Sequence, residues 1–318
     1  MIDPVIFSVD VLGLTLTLRW YGVLVMLGTL AGAWLAEKEI TRRGENGEVV
    51  WDLLVWVVPA GIVGARLWYV AQDIIRGNSV FVQDPAQIFK IWEGGLHFFG
   101  GLLVGGLTLL AFLRRRNLDP WLFLDGIAPA ALIGQAVARP ANFINQELYG
   151  QPTSLPWGIP IYNRTLPPYT DLSQYPIETT RFHPTFAYEM IWNFLAALLL
   201  LWIARQYEER VKPGTIFGGW LVLAGVGRVV IEVFRPDQPK IPGTALTYSA
   251  LVAGLMALAG AVFLLLRYRK MGLAYGREWA DTYHVAGPSP RKVQESSKPR
   301  RTVTARAQAR AKKPRRST

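Results

Sequence analysis

The residues best equipped for chemistry lie in the string ARPANFINQELYG, residues 138–150. Arg139, Asn142, Asn145 and Glu147 set a guanidinium, two amides and a carboxylate side by side, directly after apolar sequence of membrane length. Polar groups beside hydrocarbon are costly, so such a cluster is by default a candidate site. A second set closes another apolar run, GRVVIEVFRPD, residues 227–237. There Arg228, Glu232 and Arg235 are spaced four and then three, which puts them on one face of a continuous helix. Two arginines on one face suit a phosphate, which takes charge-assisted and often bidentate hydrogen bonds from guanidinium groups. The competing reading is an intrahelical ion pair with Arg235 snorkelling to the interface. In the phosphate reading Glu232 holds Arg228 in position and Arg139 adds a third cation from another span. His183 opens HPTFAYE, where Pro184 suits a helix start with Tyr188 and Glu189 one turn in. It is read mainly as a structural or positioning residue, with direct proton transfer as the alternative.

These groups must be positioned by membrane helices. The 318 residues are 51% hydrophobic and only 18% charged, with 12 Trp and a mean hydropathy of +0.22; a soluble domain usually carries about 25% charged residues. Seven stretches approach the roughly 20 apolar residues that cross a bilayer as a helix, about residues 20–36, 50–72, 95–113, 121–138, 185–204, 214–234 and 247–266. His97, Asp125 and Arg228 interrupt the third, fourth and sixth. The fold class expected is therefore all-α and polytopic, and a soluble helical protein is excluded by the number and length of these runs. The basic residues Lys38, Arg42 and Arg43, then Arg114 to Arg116, then Arg205, Arg210 and Lys212, then Arg267, Arg269 and Lys270 follow alternate spans. The positive-inside bias puts the N-terminus outside and the C-terminus in the cytoplasm. The first residues, MIDPVIFSVD, lack the basic start of a cleaved signal peptide, so the first span is expected to be retained. The proline-rich segment 139–184 is too long for a plain connector and is expected to form an ordered extracytoplasmic cap.

Net charge is +11, yet residues 286–318 hold 11 Lys or Arg against the single acid Glu295, a net +10. The chain thus divides into a nearly neutral seven-helix domain, residues 1–285, and a basic cytoplasmic tail, 286–318, whose composition predicts disorder. The partner expected for the tail is the anionic cytoplasmic leaflet. No aromatic residue is interleaved there, so a nucleic-acid partner is not expected. Cysteine is absent, which removes disulfides, thiolate metal sites and a cysteine nucleophile.

Further motifs sit at other span ends: Arg19 to Gly22 (RWYG), Gly64 to Arg66 (GAR) and EGGLHFFGG, residues 93–101. On these six blocks, in this order over about residues 15–270, the chain resembles the prolipoprotein diacylglyceryl transferases. Their signature reads roughly G-R-x-x-N-F-x-N-x-E-x-x-G, against which residues 138–150 align. The resemblance implies a protein of the bacterial cytoplasmic membrane that moves the diacylglyceryl group of phosphatidylglycerol to the lipobox cysteine of a preprolipoprotein. A thioether forms and glycerol phosphate leaves. It implies catalytic roles for Arg139, Arg228 and Glu232, a headgroup site built with Asn142, Asn145, Glu147 and Gly150, and further functional positions at Tyr21, Arg66 and Arg235, with His183 beside them. For Gly150 a conformational role is the reading from residue type. No metal or organic cofactor is implied, and the attacking thiol comes from the substrate, in keeping with an enzyme that has none.

The chain departs from the family pattern in places. Phe99 stands where many members carry His or Tyr before two glycines, so the general base expected there cannot be Phe99. His97 lies two residues earlier and on a helix would point about 200° away. Ala224 replaces a tyrosine one turn before Arg228, and Ala138 and Pro140 are milder changes. A lipid or anion transporter, which also uses intramembrane arginines, and an inactive scaffold of the same fold are the competing functions; the absence of matching halves disfavours the transporter.

Overall fold

In the computed structural model, which describes residues 2–11, 14–167, 169–235, 238–268 and 279–285, the chain opens with an antiparallel hairpin of β1 (Val5–Val11) and β2 (Leu14–Arg19). This hairpin is a small addition to the expected all-α architecture. Its strand FSVDV and the facing LTLTL alternate with a period of two, a pattern too short to compete with the longer apolar runs nearby. Helices α1 (Trp20–Arg42), α2 (Val49–Ile75), the short α3 (Val80–Gln83), α4 (Phe98–Arg115), α5 (Pro120–Ala138), the short α6 (Pro140–Ile144), α7 (Thr185–Gln206), α8 (Thr215–Glu232) and α9 (Tyr248–Arg267) follow. Seven of these spans are long and apolar enough to cross a membrane, α5 and α6 counting as one, and they coincide with the seven expected stretches. The basic tail, 286–318, lies outside the described residues.

Helices pair through small residues, as membrane helices do when there is no hydrophobic gain from contact and close backbone approach is needed. A Cβ on Gly28 of α1 would lie 2.4 Å from the carbonyl oxygen of Gly134 on α5, and one on Gly64 of α2 only 2.6 Å from that of Gly100 on α4. The pairs α1–α5, α2–α4 and α8–α9 are antiparallel, and α5 is the hub, touching α1, α7 and α8. Consequently the starts of α1, α4, α7 and α9 and the ends of α2, α5 and α8 share one end of the bundle.

At the opposite end two buried acids tie helices together. Glu39 of α1 is almost fully buried and pairs with Arg42, Arg43 and Arg205 of α7 at 3.2, 3.1 and 2.8 Å. Asp125 of α5 accepts the backbone N–H of Gly214 at 2.6 Å and of Phe217 at 2.7 Å, capping α8 from a neighbouring helix. It also takes the Tyr283 hydroxyl at 2.7 Å, which docks the segment 279–285. At the first end, residues 146–184 fold into a cap around Tyr149, Ile161, Tyr169 and Phe182. Arg164 lies 4.9 Å over the Phe182 ring and donates to the carbonyls of Ile161, Tyr169, Tyr175 and Pro176.

Candidate active site

The signature string begins where α5 stops. Arg139 sits in the one-residue joint before Pro140, whose ring suits the first turn of α6 and lacks the N–H that α5 would need to continue. The chain then turns through Gln146 and Leu148, both at positive φ (53° and 56°), which folds Glu147 back toward α6. Its Oε1 receives the Asn142 amide at 2.9 Å and the Asn145 amide at 3.2 Å. With its nitrogen held there, Asn142 turns its oxygen toward Arg139 Nη1, 3.4 Å away. Glu147 thus orients both amides, and one amide reaches the arginine.

Arg139 and Arg228 meet on one carboxylate that the sequence reading left out of the site. Glu189 of α7 is buried; its Oε2 pairs with Arg139 Nη2, and its Oε1 lies 3.0 Å from Arg228 Nη1. The other two nitrogens of the Arg228 guanidinium have contacts as well. Nε donates to the Ser249 hydroxyl of α9 at 2.8 Å, and Nη2 stands 2.9 Å from Glu232 Oε2, close as an ion pair but off the line of a hydrogen bond. The other oxygen of Glu232 accepts the Thr247 hydroxyl at 2.7 Å. Side chains of four helices and the signature turn therefore form one chain of contacts, in which both arginines remain about a quarter exposed. Buried ion pairs contribute little net stability, because desolvation offsets attraction.

The signal for Glu189 was available in the sequence: an acid one turn into a membrane span, where acids are rare and paired. Ser249 and Thr247 carried no comparable signal, being ordinary residues at a helix start.

The other expected site residues fall in different places. The helical face predicted for Arg235 is corrected: α8 ends at Glu232 and the chain turns through Val233 and Phe234, so Arg235 lies beyond the helix, half-buried. Arg66 is buried and donates to the carbonyls of Gln87, Ile88, Lys90, Gly94 and Gly95, between 2.6 and 3.5 Å, so it laces the 87–95 loop to α2. Among the described contacts none joins it to the Arg139–Glu189–Arg228 chain. Tyr21 is exposed at the start of α1. Gly150 packs where a side chain does not fit, since a Cβ would lie 2.6 Å from the Phe234 carbonyl oxygen and 2.8 Å from the His183 Cβ.

His97 is the residue before α4 rather than part of it, so the helical argument about its direction does not apply. Its ring lies against Trp68 and Phe99, and its Nδ1 is buried without a partner among the described residues. His183 is better defined. Trp157 Nε1, which can only donate, gives its hydrogen to the Tyr188 hydroxyl at 2.8 Å. The hydroxyl hydrogen is then free for His183 Nδ1, 3.0 Å away, so Nδ1 accepts and Nε2 carries the proton. Burial lowers the His183 pKa and keeps the ring neutral. Beside it, Trp157, Tyr188, Trp192, Ile231 and Phe234 line an apolar cavity of about 360 Å³ between the cap, α7 and α8.

A bundle of seven helices long and apolar enough to cross a membrane, with an arginine–carboxylate array at one end, defines a polytopic membrane protein. Comparison with known proteins carries this further: residues 4–266 match the model of the prolipoprotein diacylglyceryl transferase family. A phosphatidylglycerol–prolipoprotein diacylglyceryl transferase of Chloroflexus aggregans is 37% identical over 246 residues, 74% of this chain and 78% of the relative. One from Halalkalibacterium halodurans is 37% identical over 82% of this chain and 86% of its own length. A third, from Streptococcus pyogenes, is 33% identical over 87% of this chain and all of its own. The chain belongs to the prolipoprotein diacylglyceryl transferase family.

Proposed function

We propose that the chain is a membrane transferase that moves the diacylglyceryl group of phosphatidylglycerol to the lipobox cysteine of a preprolipoprotein, with Arg139 and Arg228 holding the phosphate. In this reaction the cysteine sulfur bonds to the glycerol carbon that carries the phosphate. The thiol gives up its proton, the carbon–oxygen bond breaks, and its electron pair leaves with glycerol phosphate. The phosphodiester begins with one negative charge and the departing monoester carries up to two, its second pKa lying near 6. Charge therefore grows on the phosphate as the reaction proceeds. Guanidinium groups fixed beforehand stabilise the product-like state more than the bound lipid, which is what accelerates a step.

The observation that carries this reading is the pair of arginines from α5 and α8 on a single buried carboxylate. Glu232 buttresses Arg228, and Glu147 fixes Asn142 and Asn145 around the same space. Arg235, Arg66, Tyr21, Gly150 and His183 are assigned supporting roles: Arg66 shapes the loop before α4, Gly150 permits close packing under the cap, and His183 orders the cap through Tyr188. In this reading the cap and site face outward, the N-terminus is extracytoplasmic, and the tail lies against the anionic cytoplasmic leaflet of a bacterial membrane.

The test supplies phosphatidylglycerol and a lipobox peptide to the purified protein and looks by mass spectrometry for diacylglyceryl on the cysteine. Product is expected with the parent and a loss of about 100-fold or more with Arg139→Ala or Arg228→Ala. No product from folded parent protein overturns the function, and full activity of both variants overturns the site.

A further inference from the structure

The array has a centre, and it is neither arginine. Arg139 ends α5 and Arg228 stands late in α8; what fixes the two relative to each other is Glu189 of α7, one carboxylate oxygen to each guanidinium. The other anchors act locally. Glu232 lies on the same helix as Arg228, Ser249 reaches only Arg228, and Asn142 reaches only Arg139. Among the described contacts Glu189 alone bridges the pair.

Its charge matters as much as its reach. Two guanidinium groups and the two carboxylates paired with them, Glu189 and Glu232, sum to zero. An anionic lipid headgroup therefore meets arginines whose charge is already balanced, with Glu147 behind the two amides adding a further negative charge, and not a doubly positive frame. The guanidinium groups retain N–H donors for it: of five each, Arg228 gives one to Ser249 and one to Glu189, with Nη2 ion-paired to Glu232, and Arg139 gives one to Asn142, with Nη2 ion-paired to Glu189. The phosphate can bind while Glu189 stays in place behind the arginines.

We infer that Glu189 is a positioning residue of the transfer reaction, setting the spacing of Arg139 and Arg228 and holding the ground-state headgroup loosely. The inference rests on the proposed transferase reading and adds to it a residue that touches no substrate. It has a kinetic signature that simple loss of structure lacks. Glu189→Gln keeps the size of the side chain but removes the charge, and its NH2 faces one guanidinium, donor against donor. That arginine leaves its seat, and displacement of a catalytic group by about 1 Å can cost roughly 100-fold. At the same time the site gains one positive charge, which favours the anionic lipid before reaction.

The experiment measures kcat and the KM for phosphatidylglycerol in the lipobox-peptide assay for the parent, Glu189→Gln and Glu189→Asp, each confirmed as folded by thermal unfolding in detergent. For Glu189→Gln, kcat is expected to fall about 100-fold while KM stays level or falls. Glu189→Asp, which keeps the charge, is expected to recover at least about tenfold of that loss. A Glu189→Gln kcat within about threefold of the parent overturns the inference. So does a KM that rises about tenfold or more, or an equal loss in folded Asp and Gln variants. Should Glu189→Gln fail to fold, Glu189→Asp decides alone: a kcat loss of about fivefold or more at unchanged KM supports it, and parent-like kcat overturns it. An inactive parent counts against the transferase reading, whereas an active parent with an active Glu189→Gln counts against this one.

Discussion

Replacing Asp125 should unfasten α8 at the end remote from the site. The residue before α8 is Gly214, held at φ +87° and without a side chain, so the helix has no cap of its own. Asp125 supplies one from α5: one oxygen takes the Phe217 N–H, and the other takes the Gly214 N–H and the Tyr283 hydroxyl. The carboxylate is fully buried, so water cannot replace it. Asp125→Ala leaves two buried N–H groups unsatisfied, each costing about 1–3 kcal/mol, hence about 2–6 kcal/mol together. In Asp125→Asn the amide best keeps its oxygen toward Gly214 and Tyr283, orphaning only Phe217 at about 1–3 kcal/mol. At roughly 2 °C per kcal/mol, the Tm in detergent should fall by roughly 4–12 °C for Ala and roughly 2–6 °C for Asn. Tyr283→Phe should lower the parent's Tm but add nothing in the Asp125→Ala background, since its acceptor is already gone. An Asp125→Ala Tm within about 1 °C of the parent, or a larger loss for Asn than for Ala, would refute the capping argument.

Three more outcomes follow from individual contacts. Arg66→Lys should not rescue Arg66→Ala, because one ammonium cannot span five carbonyls; limited proteolysis should cut both within residues 84–97 faster than the parent. Gly150→Ala should lower the Tm by roughly 2–6 °C, reflecting about 1–3 kcal/mol of overpacking against Phe234 and His183. His183 should make stability pH-dependent. Its folded pKa lies below the unfolded value of about 6.5, so the unfolded chain binds the extra proton, and stability is full above that pH and lost as pH falls below it. Thermal unfolding between pH 8 and 5 should show a decline that is shallower in His183→Gln.

The seven spans were legible because membrane helices announce themselves by length and hydropathy, signals that survive interruption by His97, Asp125 or Arg228. Polar residues at span ends likewise marked Arg139 and Arg228, which the fold brings together. Partnership across helices was not legible. Nothing in sequence separation indicates that Glu189 joins Arg139, fifty residues earlier, to Arg228, or that Asp125 caps a helix starting at Thr215. Arg66 and Arg235 show the complementary case. Resemblance to the family singled out both, and helical spacing put Arg235 on the Arg228 face, whereas in the fold carbonyls hold the Arg66 guanidinium and α8 ends before Arg235. An arginine's role depends on which acceptors the fold brings within reach.

The ionic contacts also explain how an accurate site is kept in a bundle whose helices gain little from sliding together in lipid. Three helices, α5, α7 and α8, carry the Arg139–Glu189–Arg228 contacts, and each is tied at both ends. At the end remote from the site α5 holds α8 through Asp125, while α1, packed on α5, holds α7 through Glu39 and Arg205. At the site end α7 holds both α5 and α8 through Glu189. A shift of α8 along its axis would break the Gly214 and Phe217 bonds at one end and the Glu189–Arg228 pair at the other. The buried charges, poor stabilisers when taken singly, together leave the three helices little freedom to slide. That fixity is what the proposed site requires if it acts by electrostatic preorganisation, since donors that must first move into place lose their advantage at the moment charge develops on a leaving phosphate.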